Sequence, residues 1–191
     1  MMKGILKTTL VVSSFFMAGN TLASDGTVHF LGEVIDSACE VTADTANQNV
    51  ALGKVNRTAF SGIGSTAMQT EFHIRLEKCP DTYSKAAVRF DGTEAANGNG
   101  DLAIGTPVAG ASPGDYTGTG QAVAASGVAI RIYNLGDGSQ VPLYTTSNSA
   151  DIDPVAGTAD MQFMARYIAI SDTIMPGTAN ADSEFTIEYT K

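Results

Sequence analysis

The sequence predicts an all-β domain of roughly seven short strands arranged as a sandwich. Six segments of the 191 residues alternate apolar and polar side chains with a period of two, as strands with one buried face do. Clusters rich in glycine and asparagine separate these segments and supply the turns. No window shows a sustained helical period. We therefore expect one domain with Ig-like connections between its strands.

Composition supports a folded chain and excludes some functions. Apolar residues make up 43% of the chain, which is enough for a core. Charged residues make up 16%, and 11 Lys and Arg against 20 Asp and Glu give a formal charge of -9. A nucleic-acid binder needs a basic face to displace counterions from phosphates, so this class is not expected. Twenty glycines and no tryptophan argue against a helical bundle.

Residues 1–23 are typical of a secretory signal peptide. Lys3 and Lys7 precede an apolar run from Leu10 to Ala18, and Thr21-Leu22-Ala23 offers a small-x-small cleavage site. A membrane anchor needs about 20 apolar residues, roughly twice this run. We therefore expect an exported product that does not span a membrane.

The two cysteines, Cys39 and Cys79, could form one disulfide or supply two ligands of a metal site. Export to an oxidising compartment favours the disulfide, which would close a loop of about 40 residues and stabilise the fold by roughly 4 kcal/mol. The histidines, His29 and His73, occupy alternating positions in strand-like segments. No metal site is therefore expected.

The first strand-like segment starts directly after the leader. Val28, Phe30 and Val34 share one face with Gly32, while His29 and Glu33 point the other way. The remaining alternating rows are Phe72/Ile74/Leu76, Val88/Phe90, Val128/Ile130/Ile132, Phe163/Ala165/Tyr167/Ala169 and Phe185/Ile187/Tyr189. In the row from Val128, Ala129 is assigned to the solvent-facing side, as is Arg166 in the row from Phe163. Each row predicts a strand with one buried face and one wet face.

One hydrolase-like motif is present but lacks the backbone N–H group that its catalytic role requires. Gly110-Ala-Ser-Pro-Gly114 satisfies G-x-S-x-G, in which the residue after the serine donates a backbone N–H to the oxyanion. Here that residue is Pro113, which has no N–H. The stretches 97–101 and 151–153 contain oxygen ligands without the spacing of a calcium loop. We predict no catalytic residue, no cofactor and no metal.

Several segments together resemble the chaperone–usher pilins, specifically the type 1 fimbrial major-subunit group. Thr27-Val-His-Phe-Leu-Gly-Glu-Val34 followed by Cys39 looks like the start of a mature pilin. The resemblance covers nearly the whole chain after the leader and fades between Thr93 and Ala125. It continues through Val50–Val55, Phe72–Cys79, Lys85–Phe90, Gln162–Tyr167, Pro176–Asp182 and Phe185–Tyr189.

The resemblance implies an Ig-like sandwich that lacks its last strand and is completed by a donor strand from a neighbouring subunit. Residues 24–35 would be the donor strand and residues 36–191 the pilin domain. Val28, Phe30, Gly32 and Val34 would then occupy the neighbour's groove. Phe185, Ile187 and Tyr189 would line that groove. The same three residues would contact a periplasmic chaperone during transit. An outer-membrane usher would exchange the chaperone for the donor strand.

The predicted function is that of a structural subunit, the major pilin, of a surface fimbrium that supports cell adhesion. The chain would pass through the periplasm, and its partners would be neighbouring copies of itself, the chaperone and the usher. A minor adaptor or tip-associated pilin is the alternative, because the sequence does not indicate how many copies of the chain a fimbrium contains. An exported β-sandwich enzyme is disfavoured by Pro113.

Overall fold

A computed structural model describes residues 28–32, 38–105 and 124–191 of the chain. The chain divides into two units, Met1–Ile35 and Asp36–Lys191. Within the first unit, residues 28–32 are described and belong to neither a helix nor a strand. The predicted leader, residues 1–23, and the G-x-S-x-G motif, residues 110–114, lie outside the described residues.

The regular secondary structure described in the second unit consists mainly of antiparallel strands. Within residues 38–105 and 124–191, the helices are two short turns, α1 (Ala43–Ala46) and a 3-10 helix at Arg57–Ala59. No helix in the described ranges is long and apolar enough to cross a bilayer. The strands are β1 (Glu40–Val41), β2 (Thr66–Glu77), β3 (Lys85–Asp91), β4 (Leu102–Ala103), β5 (Val128–Asn134), β6 (Ala150–Asp151), β7 (Ala159–Ala169) and β8 (Glu184–Thr190).

The strands form two sheets whose pairs are all antiparallel. One sheet has the order β1-β2-β7-β5-β4 and the other the order β6-β3-β8. Five predicted rows lie in β2, β3, β5, β7 and β8. The all-β, two-sheet prediction is therefore confirmed. The strands that the sequence missed, β1, β4 and β6, have two residues each, too few to display a period of two.

The core lies between the two sheets. Ile74 and Phe163 from the larger sheet and Val88 from the smaller one are at most 1% exposed. The Phe163 ring packs edge-on against Phe90 of the smaller sheet, with ring centroids 5.1 Å apart. Each such side chain contributes on the order of 1.5–3 kcal/mol by leaving water. These contacts hold the sheets together.

The larger sheet is also buried on part of its outer face, which corrects one sequence-based assignment. Ala129, assigned to the solvent-facing side, is fully buried, and Ile168 of β7 is 2% exposed. Both pack with Ala95, whose segment folds back over this face. The alternation of apolar and polar residues does not predict this burial. The outer face is covered by a loop and not by a second sheet, and a loop imposes no period of two on the strand that it covers. Arg166, by contrast, is only partly buried.

The disulfide joins Cys39 and Cys79, as expected from the sequence. It fixes the start of the second unit to the end of β2. There Glu40 and Val41 pair with Glu77 and Leu76. The covalent bond thus anchors a strand of only two residues to the central part of the sheet.

A buried ion pair anchors the segment between β3 and β5. The Asp101 carboxylate is completely buried and accepts hydrogen bonds from Arg131 Nε at 2.6 Å and Nη2 at 2.8 Å. Asn97 Nδ2 donates a further bond at 2.6 Å. Hydrogen bonding to Asp101 raises the pKa of the Arg131 guanidinium above its usual value. The pair fastens the loop that carries Ala95 to β5.

Asp101→Asn is expected to lower the free energy of unfolding by about 3 kcal/mol, because it leaves the largely buried Arg131 charge without a counter-ion. Equilibrium urea unfolding of the purified chain measures the change. Glu40→Gln is the matched control, since it removes a carboxylate from an exposed ion pair with Lys78, and it should unfold close to the unmodified chain. Equal effects of the two substitutions would contradict an anchoring role for Asp101.

Candidate functional site

The outer edge of β8 is the candidate functional site. β8 pairs with β3 over seven residue pairs, from Lys85↔Thr190 to Asp91↔Glu184. The sheet order β6-β3-β8 leaves the other edge of β8 without a partner strand among the described residues. A seven-residue edge with free N–H and C=O groups is a template for pairing with another strand.

The apolar side chains of β8 are incompletely covered. Phe185, Ile187 and Tyr189 share one face and pack against the core, yet all three are only partly buried. Their partners on β3, in the same order, are Phe90, Val88 and Ala86, which are 3%, 0% and 1% exposed. Burial therefore falls sharply from one strand to the next. Nothing described lies beyond β8 to cover these side chains.

Phe72 extends this opening to the facing sheet. Its ring centroid lies 6.0 Å from that of Phe90 and 5.5 Å from that of Phe163, both buried rings. Phe72 itself remains partly exposed despite these contacts. Phe72 and the three β8 side chains are thus core-facing groups that the described residues cover incompletely.

Tyr189 is held at one end of the edge strand. Its ring lies 4.9 Å from that of Tyr83, and its hydroxyl donates a hydrogen bond of 3.5 Å to the Cys39 carbonyl. Burial raises the pKa of the Tyr189 hydroxyl. The disulfide-bonded segment and the last strand thus meet at this end.

A cleft of about 450 Å³ lies within the second unit. Its wall includes the apolar side chains Val55, Phe60, Tyr167 and Met175. Burial raises the pKa of the Tyr167 hydroxyl, which donates a hydrogen bond of 3.3 Å to the Ala179 carbonyl. The complete lining is Gly53, Lys54, Val55, Arg57, Phe60, Ala125, Val128, Tyr167 and residues 174–180.

The predicted donor residues are described in part. Val28 is 76% exposed and Phe30 is 92% exposed, and a Cβ atom added to Gly32 would meet nothing within 4 Å. Val34 lies outside the described residues. Two large apolar side chains of this segment are thus largely exposed to solvent. Their insertion into another subunit remains a prediction.

The described residues contain no group of three or more His, Cys, Asp and Glu side chains placed to hold a metal ion. His73 instead shares a hydrogen bond of 2.9 Å with Asp160 across β2 and β7. Asp153 accepts hydrogen bonds from the backbone N–H groups of Val155 and Ala156, which lower the pKa of its carboxyl. Asp153 therefore stabilises a turn, while Asp151 forms an ion pair with Lys85.

Sequence reasoning missed the two cations that line the cleft, Lys54 and Arg57. Lys54 belongs to Val50–Val55, a segment noticed only for its resemblance to pilins. Lys54 and Arg57 are far from residues 174–180 in the sequence, and the two segments line one cleft only in the folded chain. Their single sequence signal is that two of the 11 basic residues stand three positions apart in an acidic chain.

Comparisons with known proteins show which family this chain resembles. The family model described as "Fimbrial protein" matches residues 28–190. The "Type-1 fimbrial protein subunit" of Serratia marcescens is 39% identical over 181 residues, which cover 90% of this chain and 91% of that protein. A "Probable major fimbrial subunit" of Escherichia coli O157:H7 is 32% identical over 168 residues, covering 87% and 85%.

A solved structure agrees as well. The antigen and type I fimbria protein of Burkholderia pseudomallei is 32% identical and superposes with a TM-score of 0.54, covering 81% of this chain and 91% of that one. The predicted Ig-like sandwich is thereby confirmed.

Ile187→Ala is expected to lower the free energy of unfolding by only about 1–2 kcal/mol, because the side chain is already partly exposed. Ile74→Ala removes the same atoms from a fully buried position and should cost about 3–4 kcal/mol. Urea unfolding of the two variants in parallel measures the difference. Equal losses would contradict an open face at β8.

Proposed function

The chain belongs to the fimbrial protein family, and on this premise we propose that it forms the shaft of a surface fimbrium by donating residues 24–35 of each copy to the β8 edge of the next. Its relatives are structural subunits of fimbriae, so the sequence-based expectations of a fimbrial subunit and of a non-enzymatic protein are confirmed. The shaft role, the donated strand and its route of assembly are the proposal.

The observation that carries the proposal is the incomplete cover of β8. Phe185, Ile187 and Tyr189 are partly buried beside fully buried partners, on a strand whose outer edge is unpaired within the described ranges. A strand added at this edge would satisfy the free backbone groups and cover the three side chains at once. A second sheet or a helix could cover the side chains but would leave the edge unpaired.

The segment at residues 24–35 has the matching pattern. Val28, Phe30, Gly32 and Val34 would face the groove, and Val28 and Phe30 are exposed in the chain itself. Each buried apolar side chain would contribute on the order of 1.5–3 kcal/mol. A glycine in the row suits a place where the backbone approaches a shallow part of the groove.

The shaft role is supported by the relatives' names. One relative is named a probable major fimbrial subunit, and another a type-1 fimbrial protein subunit. A subunit that both offers a donor strand and carries an open edge can be added repeatedly, since each addition regenerates the same edge. This property suits the many copies of a shaft.

Assembly would need a protecting partner before polymerisation. The open β8 edge with its apolar face would aggregate in the periplasm, so a chaperone would cover Phe185, Ile187 and Tyr189 during transit. An outer-membrane usher would then replace the chaperone with the next subunit's donor strand at the surface. A fimbrium of this kind supports adhesion of the cell.

The test compares two neighbouring substitutions, Phe30→Asp and Leu31→Asp. Both side chains are more than nine-tenths exposed in the chain, at 92% and 95%, and both variants lose a large apolar group and gain one charge. In a donated strand, Phe30 would face the groove and Leu31 the solvent. Phe30→Asp should therefore abolish fibres, whereas Leu31→Asp should leave them.

Electron microscopy of the cell surface and the amount of detergent-resistant polymer measure the outcome. Normal export of both variants, shown by soluble subunit in the periplasm, is the control for folding. Fibres built by Phe30→Asp, or lost equally with Leu31→Asp, would contradict the donor assignment. Loss of fibre tips alone, with shafts intact, would contradict the shaft role.

A further inference from the structure

Most of the described Lys and Arg side chains form ion pairs with carboxylates of the same chain. Five of the nine Lys and Arg residues that the structure describes form ion pairs: Arg75, Lys78, Lys85, Arg89 and Arg131. Arg166 donates a hydrogen bond to Gln69. Such pairing is expected in a chain with a formal charge of -9.

Lys54 and Arg57 are different. Both are exposed, and neither side chain forms an ion pair or hydrogen bond with any residue in the described ranges. Both line the same cleft, whose wall is otherwise formed largely by apolar groups such as Val55, Phe60 and Tyr167. The cleft therefore combines an apolar wall with two unneutralised positive charges.

The donor segment carries the complementary pattern. Glu33 lies between Gly32 and Val34, so an acidic side chain directly adjoins an apolar one that faces the groove. Because Glu33 has the opposite parity, it would stay on the solvent side of the inserted strand. Its carboxylate could then meet exposed cations without the cost of entering the apolar groove.

The other acid of the donor segment fits less well. Asp25 is flanked by Ser24, Gly26 and Thr27, and the nearest apolar residue, Val28, is three positions away. An apolar cleft with cations needs an apolar group and a carboxylate side by side. Only the Glu33 end of the segment supplies both.

We propose that Lys54 and Arg57 form a charge-recognition site for Glu33 of the donor strand from a second copy of this chain. The inference rests on the proposed function and adds which residues select the incoming strand and which end of the strand they receive. Exposed charges of this kind act mainly on the rate and selectivity of encounter. Apolar burial along β8 would determine how long the strand stays.

The experiment measures association of a synthetic peptide of residues 24–35 with the full chain carrying Phe30→Asp. This acceptor keeps its β8 edge and cannot itself donate. Neutralising the site with Lys54→Gln and Arg57→Gln should slow association about tenfold at low ionic strength. The difference should shrink at about 0.5 M salt, where exposed charges are screened.

A charge swap identifies the partner on the donor. The Glu33→Lys peptide should bind slowly to the acceptor and regain its rate on an acceptor with Lys54→Glu and Arg57→Glu. The Asp25→Lys peptide carries the same change in charge at the other end and should not be rescued. Rescue of the Asp25→Lys peptide, or of neither peptide, would overturn the assignment to Glu33.

A matched acceptor separates local recognition from net charge. Arg75→Gln with Lys78→Gln removes the same total charge from exposed side chains that line no part of the cleft, and association should keep its rate. An equal loss in this control would overturn the inference while leaving donor-strand exchange intact. If the unmodified peptide fails to bind the acceptor at all, the proposed function itself is wrong.

Discussion

The fold depends on a strand that is paired on one edge only. β8 places three large side chains against the core, and its neighbour β3 buries the opposing residues completely. On the far edge, both the backbone groups and the apolar face lack cover within the described residues. One added strand could supply both missing contacts. Its backbone would pair with the free edge of β8, and apolar groups at alternate positions would cover the exposed side chains. The β8 edge is therefore complementary to an extended segment that carries apolar side chains at alternate positions.

The domain tolerates this deficit because its other contacts are closed. β2 and β7 pair along most of their length, and the disulfide secures the segment that precedes β2. The Asp101–Arg131 pair fastens the loop that covers the outer face of the larger sheet. The incomplete cover is thus found at the β8 edge.

The sequence predicts those features that leave a local pattern. The long strands were predicted because a half-buried strand repeats every two residues, and the disulfide because two cysteines in an exported chain have few alternatives. The expectation that Ala129 faces solvent is wrong because its cover, Ala95, lies more than 30 residues away in the sequence. Asp101 and Arg131 are likewise separated by 30 residues. Contacts of this range arise only from the three-dimensional path of the chain.

The same limit explains why the sequence indicated the cleft so weakly. In the proposed polymer of identical subunits, the cleft and the β8 edge would contribute differently to assembly. Apolar burial along β8 makes a donated strand persistent but discriminates weakly, because any alternating apolar segment satisfies it. Charges act over a longer range and reject segments of the wrong sign before the backbone pairs. Lys54 and Arg57 remain unneutralised although the chain has a surplus of carboxylates. Recognition of an acidic donor strand would explain why these two cations are left without carboxylate partners. If carboxylates of the same chain neutralised them, the cleft could no longer select an acidic strand.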